Sequence, residues 1–441
     1  MGTDRLSLAH GIGGAKDLPI SPELAIAGAV AALTVSFTVL AVAWRTPRYD
    51  DPTGGRPAPT VGTVVDSTAW RVGLRVVGMV LFAYAAVAAI FGPDLLTNPF
   101  FGMVYVWWWV GLVPLSLLLG PVWKAISPVR TINTVFARLT GSDPDRGLME
   151  YPERLGYWPA AVGLFAFVWL ELVYPHATEL GPVRLWCAAY LAVMLLGGAL
   201  FGSRFYEHGD PFEVYSTLVS KLSVWGRSEG RLVVRSPLAN LDTVEAGPGL
   251  VAVMAVLFGS TAFDSFGDSS FWVQYTQGSS VSTFLLDNLA LLAFCVGVGL
   301  VFVAGTVATG VDPGIRRRDL PNRFAHSIVP IIVGYIVAHY LTYLVEFGQQ
   351  TLVLASDPLG TGADVLGTAD MTVNYWLSFH PTFLANTKVL GVVVGHVLGV
   401  IAAHERAIQV LPRRHQLVGQ LPLLLAMIAF TVGGLYLLFA A

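Results

Sequence analysis

The chain has 441 residues, 54% of them hydrophobic and only 12% charged, with a formal net charge of −3 and a mean hydropathy of +0.64. That balance lies outside the range of soluble domains and predicts an integral membrane protein. Basic residues dispersed among loops in a slightly acidic chain exclude a nucleic-acid reader. Cys187 and Cys295 each sit inside an apolar run, which excludes a disulfide framework and a zinc spacing.

The first 22 residues, read as an outward tail, have no apolar core of signal-peptide type, so the first apolar run is expected to be an uncleaved span. Stretches of about 20 apolar residues then predict ten spans. They lie at 23–44, 72–91, 99–123, 157–174, 182–202, 247–263, 283–309, 324–348, 381–403 and 420–440. The expected fold is an all-α polytopic bundle of ten transmembrane helices in a single membrane domain.

The odd-numbered connections hold 22 of the 26 Lys and Arg residues, including Arg316 to Arg318, Arg413 and Arg414. The positive-inside rule places that side in the cytoplasm of a plasma-membrane protein and both termini outside. The outward connections are acidic and rich in Gly and Ser. The longest, 349–380, exceeds the usual length of a structureless loop and is expected to be functional or mobile.

"PVRTINTVFARL" at 128–139 and "PFEVYSTLVSKL" at 211–222 match in pattern: Pro, an apolar residue, a charge, then Thr, a base and Leu at positions seven, eleven and twelve. Ser127 and Asp210 suit N-caps and Pro suits the first helical position. Two interfacial amphipathic helices on the cytoplasmic side are expected. The later spans beginning "PAAVGLFAF", "PGLVAVMAV" and "PIIVGYIVA" extend this to a parallel repeat of hairpins over 99–174, 182–263, 283–348 and 381–441, after a first pair at 23–91.

In "IVAHYLTYLVEF", at 336–347, His339, Tyr343 and Glu346 follow at spacings of four and three, which places them on one face of a regular helix. At 1.5 Å per residue, His339 lies roughly 13 Å below the outer face. Glu346, Glu171, His176, Asp264, Asp268, Asp287 and His380 fall near the outer face itself, Lys388 lies roughly 10 Å down and His396 deeper. Ionisable groups at membrane depth are costly unless they face an interior, a partner or water. An outward polar cavity is one reading; structural pairing, such as Lys388 with Glu346 or Asp287, is the other.

For the cavity, His339, His380 and His176 are candidate ligands of Zn or a similar divalent ion. Glu346 and Asp264 are candidate bases, and Lys388 is placed to stabilise developing negative charge. The chain has no H-E-x-x-H or G-x-S-x-G motif. It also lacks C-x-x-C-H, a Walker loop and a dinucleotide fingerprint, so haem, nucleotide and nicotinamide cofactors are not expected.

With "AHGIGGAKDLPI" leading into the first span, "SPVRTINTVF", "GSTAFDS" and histidine-bearing spans near the carboxy terminus, the chain resembles bacterial multi-span membrane proteins labelled fenitrothion hydrolase-like. The resemblance runs through most of the length. It implies hydrolysis of an organophosphate triester, a lipophilic substrate that reaches an outward-facing site through the bilayer. It assigns no catalytic residues. The same polar residues also fit a proton- or ion-coupled transporter of a small molecule or metal ion, and a membrane subunit without chemistry of its own.

Overall fold

The computed structural model describes residues 17–51, 54–310, 314–412, 416 and 418–440. Most of the tail that carries "AHGIGGAK", together with Arg413, Arg414 and His415, lies outside the described residues. The principal helices are α1 (Pro22–Ala43), α2 (Thr68–Phe91), α3 (Pro99–Leu119), α4 (Val122–Ile126), α5 (Pro128–Leu139), α6 (Trp158–Leu172), α7 (Leu180–Phe201), α8 (Ser203–Gly209) and α9 (Pro211–Ser220). They are followed by α10 (Leu250–Gly267), α11 (Ser270–Gly278), α12 (Thr283–Val307), α13 (Val329–Thr342), α14 (Pro381–Val410) and α15 (Leu421–Ala440).

Among the described residues nine helices are long and apolar enough to cross a membrane. At the place of the fourth predicted span stands the shorter apolar α6, 15 residues long. α10 and α13 are enclosed by other helices, whereas α1 and α2 turn Val35, Val39, Val76, Val80 and Leu81 outward. So many large apolar side chains on the outside are a liability in water and suit contact with lipid.

The predicted alternation of the connections agrees with how the ends are tied. At the basic end, three short strands, β1 (Arg56–Pro57), β2 (Trp225–Ser228) and β3 (Arg231–Val234), pair antiparallel in the order β1-β3-β2. This small sheet joins the first connection to the fifth, and the fold remains all-α as expected. Its hairpin turns at Glu229 (φ 48°) and Gly230 (φ 77°), both in the left-handed region. Glu405 on α14 accepts the amide of Tyr49 at 2.8 Å, and Arg406 meets Asp242 at 3.0 Å, bringing the ninth connection to the same end.

The two matched segments differ from expectation in one respect. Ser127 and Asp210 do cap α5 and α9, and α5 leaves Val135, Phe136 and Leu139 exposed. α9, by contrast, is buried on nearly every face among α3, α4, α6 and α8, so it is not an interfacial helix. Its only charge, Glu213, is taken up by Arg130 in a bidentate pair, Nε to Oε2 at 2.5 Å and Nη2 to Oε1 at 2.6 Å. With that charge satisfied, Phe212, Val214, Tyr215 and Leu218 can all be enclosed.

Asp210 accepts hydrogen bonds from Trp123 Nε1 at 3.1 Å, Tyr190 Oη at 3.0 Å and the Phe212 amide at 3.0 Å. Burial first, and the charge of Glu213 second, push its carboxyl from 3.8 up to about 7. Between those values the folded protein keeps a proton that the unfolded chain has released, so stability falls as pH rises through that window and then levels. In Asp210→Asn this contribution is absent. Thermal unfolding should therefore show the variant gaining on the parent chain from pH 4 to 7, and no further gain above 7.

α13 and α14 pack antiparallel with their backbones in close approach. Gly391, Gly395 and Gly399 recur every four residues on α14 and face Gly334, Pro330 and Ser327. Between them these contacts set the depth of α13 in the bundle.

Candidate functional site

The last turn of α10 presents Asp264 and Ser265 to α13, which carries Tyr335, His339 and Tyr340. Tyr335 and His339, four residues apart, share a helix face. Tyr335 Oη donates to Ser265 Oγ at 3.1 Å, and Ser265 Oγ lies 3.1 Å from His339 Nδ1. His339 Nε2 lies 2.9 Å from Asp264 Oδ2, the atom to which Tyr340 Oη donates at 2.6 Å.

A neutral imidazole with its proton on Nε2 lets Tyr335 donate to Ser265, Ser265 to His339 at 3.1 Å in place of its longer alternative, the Thr261 carbonyl at 3.4 Å, and His339 to Asp264. This run of hydrogen bonds is almost wholly enclosed. Ser265 and Tyr335 are fully buried and His339 is 3% exposed, while the Asp264 side chain keeps 11% of its surface.

Glu171, near the end of α6, is the second carboxylate of this region and interacts electrostatically with Asp264. Its Oε2 is covered and has no hydrogen-bond partner among the described residues. The hydroxyls of Tyr105, Tyr215, Tyr340 and Tyr343 lie within its electrostatic reach. Two wide helical segments, Met103–Val110 within α3 and Tyr343–Phe347 after α13, pack together beside it. Trp107 Nε1 on the first donates to the Gly348 carbonyl next to the second, at 3.1 Å. Such π-segments recur at functional sites because they re-aim side chains without breaking a helix.

The wide segment after Thr342 also explains a departure from the sequence reading. A helix bonded i to i+5 loses the 3.6-residue phase, and Glu346 turns to the loop that precedes α14. There it accepts the Ser378 amide at 2.9 Å and the Ser378 hydroxyl at 2.6 Å. Within the 349–380 connection, Asp357 accepts the amides of Thr361 and Gly362 at 2.9 and 2.7 Å, and those amides hold its carboxyl below the usual range. Glu346→Ala should release this loop, because hydrogen bonds to a charged group contribute about 1.5–3 kcal/mol each at most. Amide exchange across 356–380 should accelerate while exchange in α10 stays unchanged; equal exchange in both proteins would refute the tie.

The other predicted residues are spread out. His176 is exposed and pairs with Glu179 at 2.6 Å, and His380 is exposed, stacked on Trp376 with Nδ1 2.7 Å from its carbonyl. Asp287 is buried and accepts Trp272 Nε1 at 3.0 Å, and Asp268 is exposed beyond α10. Lys388 is buried and interacts electrostatically with Asp17. His396, fully buried, has Nδ1 2.8 Å from the Val392 carbonyl.

The predicted ligands His339, His380 and His176 thus have separate partners. Among the described residues no group of three or more His, Cys, Asp or Glu side chains is arranged to hold a metal ion. Tyr335 and Tyr340 escaped the sequence reading, although the "YIVAHY" spacing places Tyr335 one turn before His339. Compared with known proteins, the chain matches no family model, no curated protein and no solved structure.

Proposed function

We propose that this is a multi-pass cell-membrane protein that moves protons through the Asp264–His339 relay, with proton movement coupled to passage of a small solute. The observation that carries this reading is the continuous run of dissociable groups from Tyr335 through Ser265 and His339 to Asp264, enclosed by apolar helices. Chains of Asp, Glu and His within a membrane are the usual means of proton relay. In the sense drawn above, a proton delivered to Tyr335 Oη shifts one proton along each bond, from Tyr335 to Ser265, from Ser265 to His339 Nδ1 and from His339 Nε2 to Asp264, which keeps the most exposed side chain and releases it; the chain resets when each hydrogen bond reverses its sense. Glu171 offers a second acceptor beside Asp264. With the basic end in the cytoplasm, the relay lies in the outer half of the bilayer.

The test is proton flux in proteoliposomes loaded with a pH-sensitive dye. Asp264→Asn and His339→Gln should each reduce flux at least tenfold, and Tyr340→Phe should reduce it less, since it removes one donor and leaves the relay intact. Flux from the unaltered protein no greater than from empty liposomes, or unchanged in Asp264→Asn, would remove the proposal.

One observation favours a second reading, the phosphotriester hydrolysis implied by the resemblance. Asp264 is the member of the relay with the most exposed side chain, placing it to activate a water with His339 behind it. Turnover of a nitrophenyl phosphotriester by purified protein, lost in Asp264→Asn, would support hydrolysis; absence of turnover with and without added Zn²⁺ would dispose of it.

A further inference from the structure

A separate cavity of about 530 Å³ lies between α2, α3, α4 and α7, away from the Asp264–His339 relay. Its walls are almost wholly apolar. On α2 they run from Gly78 to Ile90, which at 1.5 Å per residue gives the cleft a length of about 18 Å along the helices. Leu81 and Ile90, on its rim, are also part of the outward apolar surface, so the cleft opens sideways.

Two polar features break this lining. Arg184, near the start of α7, borders the cleft at the end remote from the basic connections, and its Nε donates to the Leu180 carbonyl at 3.2 Å. Trp108 Nε1, in the wall of the cleft, is covered and has no hydrogen-bond partner among the described residues.

We infer that the cleft holds one anionic lipid, its acyl chain along α2 and its phosphate or carboxylate on Arg184. An elongated apolar slot open to the membrane accepts a chain and rejects a polar solute. A guanidinium at its mouth matches phosphate or carboxylate in charge and in fork geometry. The charge selects the headgroup and the slot selects the chain.

The experiment is native mass spectrometry of the full chain in non-ionic detergent, with added dioleoylphosphatidylglycerol, dioleoylphosphatidylcholine or oleate. Phosphatidylglycerol should remain as a single adduct at collision energies that strip phosphatidylcholine. Retention of oleate at the same energies would identify a free fatty acid as an equally good source of the anion, and its loss would assign the site to phospholipid. Arg184→Gln should lower phosphatidylglycerol retention at least fivefold, to the phosphatidylcholine level, with Arg184→Lys intermediate. Ala188→Trp, one turn along α7 on the cleft wall, should remove the adduct without altering the size-exclusion profile. Equal retention of phosphatidylglycerol and phosphatidylcholine, or an adduct indifferent to both Arg184→Gln and Ala188→Trp, would overturn the inference.

Discussion

Arg130→Ala is expected to cost about 3–5 kcal/mol of stability, because it leaves a buried carboxylate without its counter-charge. Glu213 is 1% exposed and Arg130 13%, and the guanidinium meets both carboxylate oxygens. Arg130 Nη1 also donates to Ser203 Oγ at 3.2 Å, so the same side chain ties α5 to α8 and to the start of α9. Lysine should not rescue, since an ammonium cannot span the fork. The paired replacement Arg130→Met with Glu213→Leu should recover most of the loss, since burying two apolar groups avoids the desolvation that the ion pair must offset. Thermal unfolding in detergent separates the cases. Arg130→Ala as stable as the parent chain would mean that water reaches Glu213 and that α9 is less enclosed than its contacts indicate.

The same pair illustrates what the sequence made legible. Aligning "PVRTINTVFARL" with "PFEVYSTLVSKL" places Arg130 opposite Glu213. The opposite signs at one matched position were the available signal that these segments bind each other, and they went unused because the pattern was read for amphipathicity alone. The apolar runs and the alternation of charged connections were legible because both depend on composition over long stretches. The small sheet was not, since it rests on one local turn at Glu229 and Gly230 and on strands of two to four residues.

For the site, depth and helical spacing singled out Asp264 and His339, which the fold joins directly. The same reasoning misdirected Glu346, because the wide turn after Thr342 changes the phase and apolar sequence carries no mark of it. His176 and His380 were placed by depth alone. They fall just outside helix starts, where side chains meet the surface and neighbouring loop groups. Tyr335 was hidden by an apolar context in which a hydroxyl needs a partner that only the fold reveals.

Gly395→Ala should force α13 from α14 and destabilise the fold, whereas the same change at Gly297 should stabilise it. A Cβ at Gly395 would lie 2.5 Å from the Pro330 carbonyl oxygen and 3.3 Å from the Gly334 Cα, both backbone atoms that cannot rotate away. The helices must move apart, at a cost of about 1–3 kcal/mol or more for overpacking. Gly297 on α12 meets nothing within 4 Å of a built Cβ, and Gly297→Ala should stabilise by about 0.5–1 kcal/mol through helix propensity and loss of unfolded-state freedom. The pair of variants therefore controls for propensity and leaves packing as the difference. Because α13 also carries His339, displacement at Gly395 should lengthen its 2.9 Å contact with Asp264, so under the proposed proton movement Gly395→Ala should lose flux in proportion to its loss of stability, while Gly297→Ala keeps both. Thermal shifts of the same sign in the two variants would show that the close approach of α13 and α14 does not limit stability. A destabilised Gly395→Ala with full flux would instead detach the relay from the packing that positions it.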